Sequence, residues 1–355
     1  MKKLQKTMKL ILVCIIAFSF LFTSCDQAAA PETPSGETPT TNTPESGNGN
    51  PPVTYDGPVI ECTSDTIVST IGEITESCAI KAEGAFSAEL IRNINAAFKE
   101  LAESQPDVRI ILDLWATTGL TELEDVRTGT GDNSTWNEGY SLYGCTNLKM
   151  VILPNSLTSI GNYSFAYCTN LESVYLPSSI TSIGQKAFGR CENLLSMTIP
   201  NGVTCIEDNT FEDCEKLASI VIPNTVTSVG EEAFEGCTLL TNLTVPNNVT
   251  FIGRQAFADC GLTSITLGNS VINIERQAFE GCEYLTCLTI PASVLNIGSY
   301  AFTQCSSLTS VTFENTTGWS AGDTAISSED LSNTTTAATY LTDTYLDCDW
   351  TRSNN

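Results

Sequence analysis

Apolar positions recur along most of this chain with a period of 23 residues. Cysteines stand at Cys145, Cys168, Cys191, Cys214, Cys237, Cys260, Cys282 and Cys305, every interval being 23 residues except the 22 between Cys260 and Cys282. Three residues before each lies an apolar side chain: Leu142, then Phe165, Phe188, Phe211, Phe234, Phe257, Phe279 and Phe302. Self-similarity at a fixed period marks a repeat architecture. Within one unit, CENLLSMTIPNGVTCIEDNTFED, the apolar residues Leu194, Met197, Ile199, Val203, Ile206 and Phe211 hold fixed places, as in a coil with one inward edge. The run Leu-x-x-Ile-x-Ile/Leu-Pro predicts a short strand with alternate residues buried. A proline that cannot donate to a ladder closes it, at Pro154, Pro177, Pro200, Pro223, Pro246 and Pro291. The second half predicts a short extended piece, a glycine turn (Gly161, Gly184, Gly230, Gly253, Gly298) and a tight helical turn carrying the Phe inward. No unit can bury its inner edge alone, so roughly seven to eight coils should stack about 4.8 Å apart over residues 117–313. Two departures predict local irregularities. The 22-residue unit has Gly268 where the proline belongs, and the unit at Cys191 has Asp208 in place of the turn glycine.

The flanks read differently. In residues 59–116, Leu90, Ile91, Ile94, Ala97, Phe98 and Leu101 fall on one helical face behind a candidate N-cap, Ser87, and VRIILDLW follows as a strand. This predicts a strand-helix-strand cap over one open end of the stack; residues 314–355, where the repeat stops, are expected to cap the other. The start of the chain, basic and then apolar for about a dozen residues, predicts a signal peptide over residues 1–24. Leu21-Phe22-Thr23-Ser24-Cys25 resembles a bacterial lipobox, which makes Cys25 the expected lipidation site and a lipid anchor the only membrane attachment. Residues 25–58, rich in Pro, Thr, Ser and Gly, cannot bury a core and predict an extended linker.

Charge narrows the partners. Lys and Arg number 16 against 41 Asp and Glu, a net charge of −25; four lysines precede Cys25 and no acid does, which leaves −29 after cleavage. Such a field disfavours nucleic acid and anionic lipid and leaves neutral or basic partners, an extracellular protein or a glycan. With no histidine, the usual general base and the commonest zinc ligand are missing. Nucleotide-binding, metalloprotease and serine-hydrolase motifs are absent from the sequence, and no catalytic residue, cofactor or metal is predicted. The cysteine column, always beside the core Phe, reads as buried free thiols. Cys62 with Cys78 is the one pair to examine for a bridge. Acids gather on neighbouring coils (Glu207, Asp208, Glu212, Asp213, Glu215, Glu231, Glu232, Glu235) and read as a solvated face.

Residues alternating with the buried strand positions should form an exposed face. One column reads Ile152, Tyr175, Thr198, Val221, Thr244, Thr266, Thr289, Thr312; the next begins at Met150 and continues mostly with Ser. The face is hydroxyl-rich and becomes apolar toward its N-terminal end; Met150, Ile152, Tyr175 and Val221, with Thr198, Thr244, Thr266 and Thr289 along the same column, are expected to bind ligand. Trp136, Tyr140 and Tyr143 are placed nearby, in an irregular insert.

The pattern C-x-x-L-x-x-V-x-[IL]-P-x-S-V-T-x-I-G-x-x-A-F resembles the BspA-type leucine-rich repeats of bacterial surface proteins. The resemblance implies an α/β repeat fold, a leucine-rich-repeat solenoid with a parallel β-sheet, and a non-enzymatic adhesion function toward matrix or plasma proteins or other bacteria. An envelope lipoprotein assembling with other bacterial proteins is the alternative. A hydrolase would need a deep pocket of convergent carboxylates.

Overall fold

The computed structural model describes residues 55, 57–125, 127–128, 135–136 and 141–353. The expected signal peptide, Cys25 and nearly all of the linker lie outside the described residues, as do Tyr140 and the side chain of Trp136. Among the described residues no helix is long and apolar enough to cross a membrane.

The repeats stack as parallel coils, each bonded to the next on three sides. The first side carries three- to five-residue strands ending at the proline turn, such as Ser196–Thr198 paired in parallel with Ser219–Val221. The second carries two-residue strands such as Cys205–Ile206 beside Ser228–Val229. On the third, the turn holding each phenylalanine bonds across to the next coil: Phe188 N–H donates to the Thr210 carbonyl at 3.0 Å and Phe211 N–H to that of Ala233 at 2.8 Å. Bonds on all sides let so short a strand persist, because the coil leaves few backbone groups unpaired. Inside runs a stack of seven phenylalanines from Phe165 to Phe302, neighbouring rings 5.3–5.6 Å apart and within 14° of parallel. All seven are fully buried.

The turn glycines answer a different need from a left-handed turn. None of the five has positive φ; a Cβ at Gly253 would stand 2.5 Å from the carbonyl carbon of Gly230 in the preceding coil. Close backbone approach is what selects glycine there. Left-handed conformations fall instead on residues before Ala-Phe, such as Lys186 (φ 53°), and before each cysteine, such as Asp213 (φ 53°). Asp213 N–H is held across the coils by the Glu235 carbonyl at 2.7 Å, which helps offset a cost of about 1–2 kcal/mol for such a residue.

The expected departures resolve as follows. The 22-residue unit passes through the stack unbroken, with Phe257 and Phe279 still 5.3 Å apart. Gly268 keeps the proline's turn, its carbonyl accepting from Val271 N–H. Asp208, however, does not occupy the turn glycine's place. The register Ile206↔Val229 puts Glu207 opposite Gly230, and Asp208 one residue later accepts the Glu231 N–H at 2.8 Å. Two adjacent acids make this shift invisible to a pattern that lacks the glycine.

Residues 59–118 hold three strands and two helices where two strands and one helix were predicted: β1 (Val59–Thr63), the helix Ile67–Gly72, β2 (Cys78–Ala85), the helix Ala88–Ser104 and β3 (Ile110–Thr118). The missed strand, CAIKAEGA, has weak β-propensity and owes its conformation to parallel pairing on both sides. Ser87 does cap the longer helix, its side chain accepting from Leu90 N–H. After β3 come β4 (Glu122–Leu123), the hairpin β5 (Arg127–Thr128) with β6 (Thr135–Trp136), then β7 (Leu148–Ile152), β8 (Ser159–Ile160) and β9 (Ser173–Tyr175). The order β1-β2-β3-β7-β9 makes the N-terminal strands one parallel sheet with the first coils. At the other end the strand Trp350–Arg352 pairs antiparallel with Asn296–Ile297 and with Trp319–Ala321, and Trp350 packs fully buried on Phe313.

Candidate ligand-binding face

The sheet register threads one outward row through both halves of the molecule. Glu61 pairs with Lys81, Lys81 with Asp113, Asp113 with Ile152, and Ile152 with Tyr175. The row continues at the same strand position through Thr198↔Val221, Thr244↔Thr266 and Thr289↔Thr312. Thr198, Thr244, Thr266 and Thr289 are exposed, Val221 is 56% exposed, and Tyr175 and Met150 are half-buried.

Ile152 departs from expectation. It occupies the predicted position yet is fully buried. It lies in register between Asp113 on β3 and Tyr175 on β9, and Trp115, two residues beyond Asp113, meets the Tyr175 ring edge-on at 5.7 Å. The aromatic feature of the face is therefore Trp115 with Tyr175, both half-buried. Tyr143 turns elsewhere, its ring 5.5 Å from Tyr167 with the Lys99 ammonium 5.7 Å from its centroid.

Trp115 owes its place to a bulge. From Lys81↔Asp113 to Glu83↔Ala116, β3 advances three residues while β2 advances two. The extra residue re-aims the chain, and Asp113, itself buried, binds the Trp115 N–H through Oδ1 at 2.9 Å. Its other oxygen accepts the Tyr55 hydroxyl. Burial and that carboxylate push the Tyr55 hydroxyl above its ordinary range. Tyr55, Glu61, Lys81, Glu83, Asp113 and Trp115 line a cleft of about 430 Å³. None of these six was singled out from sequence. An aspartate inside VRIILDLW was the available signal, since a carboxylate in an apolar strand needs a reason.

The acidic residues of the turns are interleaved with bases. Lys186 Nζ lies 2.6 Å from Glu212, Arg190 3.1 Å from Asp213, and Arg254 reaches both Glu231 and Glu232. The Asn209 amide bridges Glu212 and Glu232 at 2.9 and 2.7 Å. Glu235 is pushed up to about 7 by partial burial and then by Glu232, Glu212, Asp213 and Asp259. Among the described residues no group of His, Cys, Asp or Glu is arranged to hold a metal ion.

The cysteine column has a structural role that apolarity alone does not explain. Each thiol from Cys168 to Cys305 donates to a carbonyl of the preceding coil: Cys191 to Phe165 at 3.2 Å, Cys214 to Phe188 at 3.2 Å, Cys237 to Phe211 at 3.3 Å. Burial pushes Cys168 and Cys305 up to about 12 and its other members from Cys145 to Cys282, Cys260 aside, upward too, which suppresses the reactive thiolate. All described cysteines are unpaired, Cys62 and Cys78 included.

The model of the BspA type leucine rich repeat region matches six copies over residues 138–260 and 228–343, more than half of the chain. The chain belongs to the BspA-type leucine-rich-repeat family. These are protein-interaction repeats. No curated protein matches the sequence. Among solved structures, the chain is similar to a leucine rich cell surface protein from Faecalibacterium prausnitzii A2-165, at 29% identity, 57% of this chain, 60% of that one and a TM-score of 0.42. It is similar also to the leucine-rich-repeat protein of T. pallidum, at 27% identity, 56% and 78% coverage and a TM-score of 0.39. A third is the pneumococcal vaccine antigen PcpA, at 20% identity, 70% and 65% coverage and a TM-score of 0.37. The chain spans about three-fifths of the length of the Faecalibacterium structure.

Proposed function

We propose that this BspA-type repeat protein is exported, lipid-anchored through Cys25, and displayed at the cell surface, where its open strand face binds an extracellular protein and so mediates adhesion. The observation that carries this reading is the outward row itself. It has no charged side chain from Tyr175 to Thr312, and its large apolar side chains, half-buried Tyr175 and exposed Val221, lie toward the end where Trp115 stands. A flat uncharged strip with aromatic anchors at one end suits a protein interface, in which a few buried aromatic residues supply most of the affinity. The acidic remainder of the surface keeps such a protein soluble and repels anionic competitors. The regions 59–118 and 314–353 are proposed to act as caps, shielding the open ends of the stack.

The test is saturable binding of the purified full chain to an immobilised panel of matrix and plasma proteins at about 0.15 M salt, where exposed charges are screened beyond ~8 Å. Binding that Val221→Arg and Tyr175→Ala each weaken at least tenfold is the expected result. Ile152→Lys is unsuitable as a probe, because Ile152 is fully buried and the lysine would bury a charge. Absence of binding to every panel member would favour assembly with other envelope proteins instead.

A further inference from the structure

We infer that the cleft beside Trp115 is a separate small-ligand subsite that takes a neutral sugar, so that the protein recognises a glycan at the N-terminal end of the face it uses for protein. The inference rests on the reading that this face meets ligands; Trp115 and Tyr175 border both sites, whereas Glu61, Lys81 and Glu83 belong to the cleft alone.

The cleft is built rather than incidental. A β-bulge places Trp115, a buried carboxylate satisfies the amide that the bulge frees, and the Tyr175 ring fixes the indole edge-on. Its size, about 430 Å³, falls within the ~300–1,000 Å³ of ordinary small-molecule sites. Around the indole stand groups of both hydrogen-bonding senses: the Lys81 ammonium donates, the Glu61 and Glu83 carboxylates accept, and the Tyr55 oxygen, its proton committed to Asp113, accepts. Glu61 pairs in register with Lys81, and cross-strand neighbours stand about 5 Å apart. Among the described residues, Glu61, Lys81 and Glu83 make no ion pair within 4.0 Å, so they are not consumed by one another.

An anion meets three carboxylates and a strongly negative molecule, which disfavours it. The lining offers donors from Lys81 as well as carboxylate acceptors, and a simple cation can use only the acceptors. A polyol satisfies both. Its adjacent hydroxyls donate to carboxylates and accept from an ammonium, while the C–H face of the ring covers the indole. Asp113 has both oxygens engaged and Glu61 and Glu83 are exposed, so the cleft is suited to holding a sugar rather than cleaving it.

The experiment applies the purified full chain to an array of neutral, anionic and cationic oligosaccharides, then titrates a neutral member that binds while following tryptophan fluorescence. Selective retention of neutral sugars, a fluorescence change on titration, and at least a tenfold loss in Glu83→Gln and Lys81→Met are expected. These two lie at surface strand positions and keep the bulge intact; Trp115→Ala should abolish binding, with circular dichroism checking its fold. Val221→Arg should leave sugar binding unchanged while weakening protein binding, so failure of one reading is separable from failure of the other. Retention of no neutral sugar, retention insensitive to Glu83→Gln and Lys81→Met, preference for cationic sugars, or release of shortened products would each overturn the assignment.

Discussion

The three N-terminal strands and the coils that follow share one sheet and one outward row, yet they are built on opposite rules. In the coils each place is refilled with a like residue: Phe on Phe and thiol to carbonyl inside, Thr beside Thr outside. Strands of two to five residues suffice there because every coil copies its neighbour's bonds. Between 59 and 118 the strands are five to nine residues long, helices cover one side, and no outward residue repeats the one before: Glu61, Lys81, Asp113. Repetition yields stability without individuality; a specific cleft arises where the repeat has not yet begun.

Breaking the periodic half should therefore cost stability, and breaking the other half should cost binding. The largest effect is expected from truncation after Glu314. This removes Trp319, Trp350 and the antiparallel strand at the end of the stack, exposing Phe313 and the edge of the last coil. The truncated chain should aggregate, as read by size-exclusion chromatography; a soluble monomer with full circular dichroism would show that the segment is no cap. Next, Phe234→Ala, in mid-stack, should lose about 3–5 kcal/mol of stability in urea unfolding. Cys214→Ala should cost less, about 0.5–1.5 kcal/mol, because the Phe188 carbonyl loses its thiol donor but keeps the Cys191 N–H. A neutral result for it would mean that the cysteine column is selected for size alone.

The smallest effect concerns Glu235. Burial and the neighbouring carboxylates push Glu235 up to about 7 in the folded state, above the ordinary glutamate value of 4.5, so near neutral pH the folded protein binds a proton that the unfolded chain has released. Its contribution to stability thus rises as pH falls from about 8 toward 5 and is lost as pH rises through 7. Glu235→Gln should flatten that part of the stability profile relative to wild type, measured as thermal midpoint against pH. Identical slopes would place Glu235 in ordinary solvent.

The periodic half was legible because its spacing carries the physics directly. Phe and Cys at a fixed interval define the core, Pro ends each strand, and Ser87 announces its helix. What sequence missed is non-periodic. β2 takes its conformation from neighbours rather than from its alanines and glycine. Ile152 follows the column's arithmetic but is buried between Asp113 and Tyr175, and Trp115 nearby depends on a one-residue bulge that no period encodes. Glu207 and Asp208 exchanged places for a related reason: where the glycine is absent, only the pairing Ile206↔Val229 fixes the register. The strand register of the column follows from its period, whereas the residues at its N-terminal end do not.

The most direct test of a face whose recognition is concentrated at its non-repeating end is an arginine scan along the row. Tyr175, Thr198, Val221, Thr244, Thr266 and Thr289 would each be changed to Arg in the full chain, with adhesion of expressing cells to a bound panel protein as the readout. The account predicts losses that are largest at Tyr175, substantial through Val221, and negligible at Thr266 and Thr289, with unchanged thermal midpoints. Equal losses along the row, or losses largest at Thr289, would contradict it.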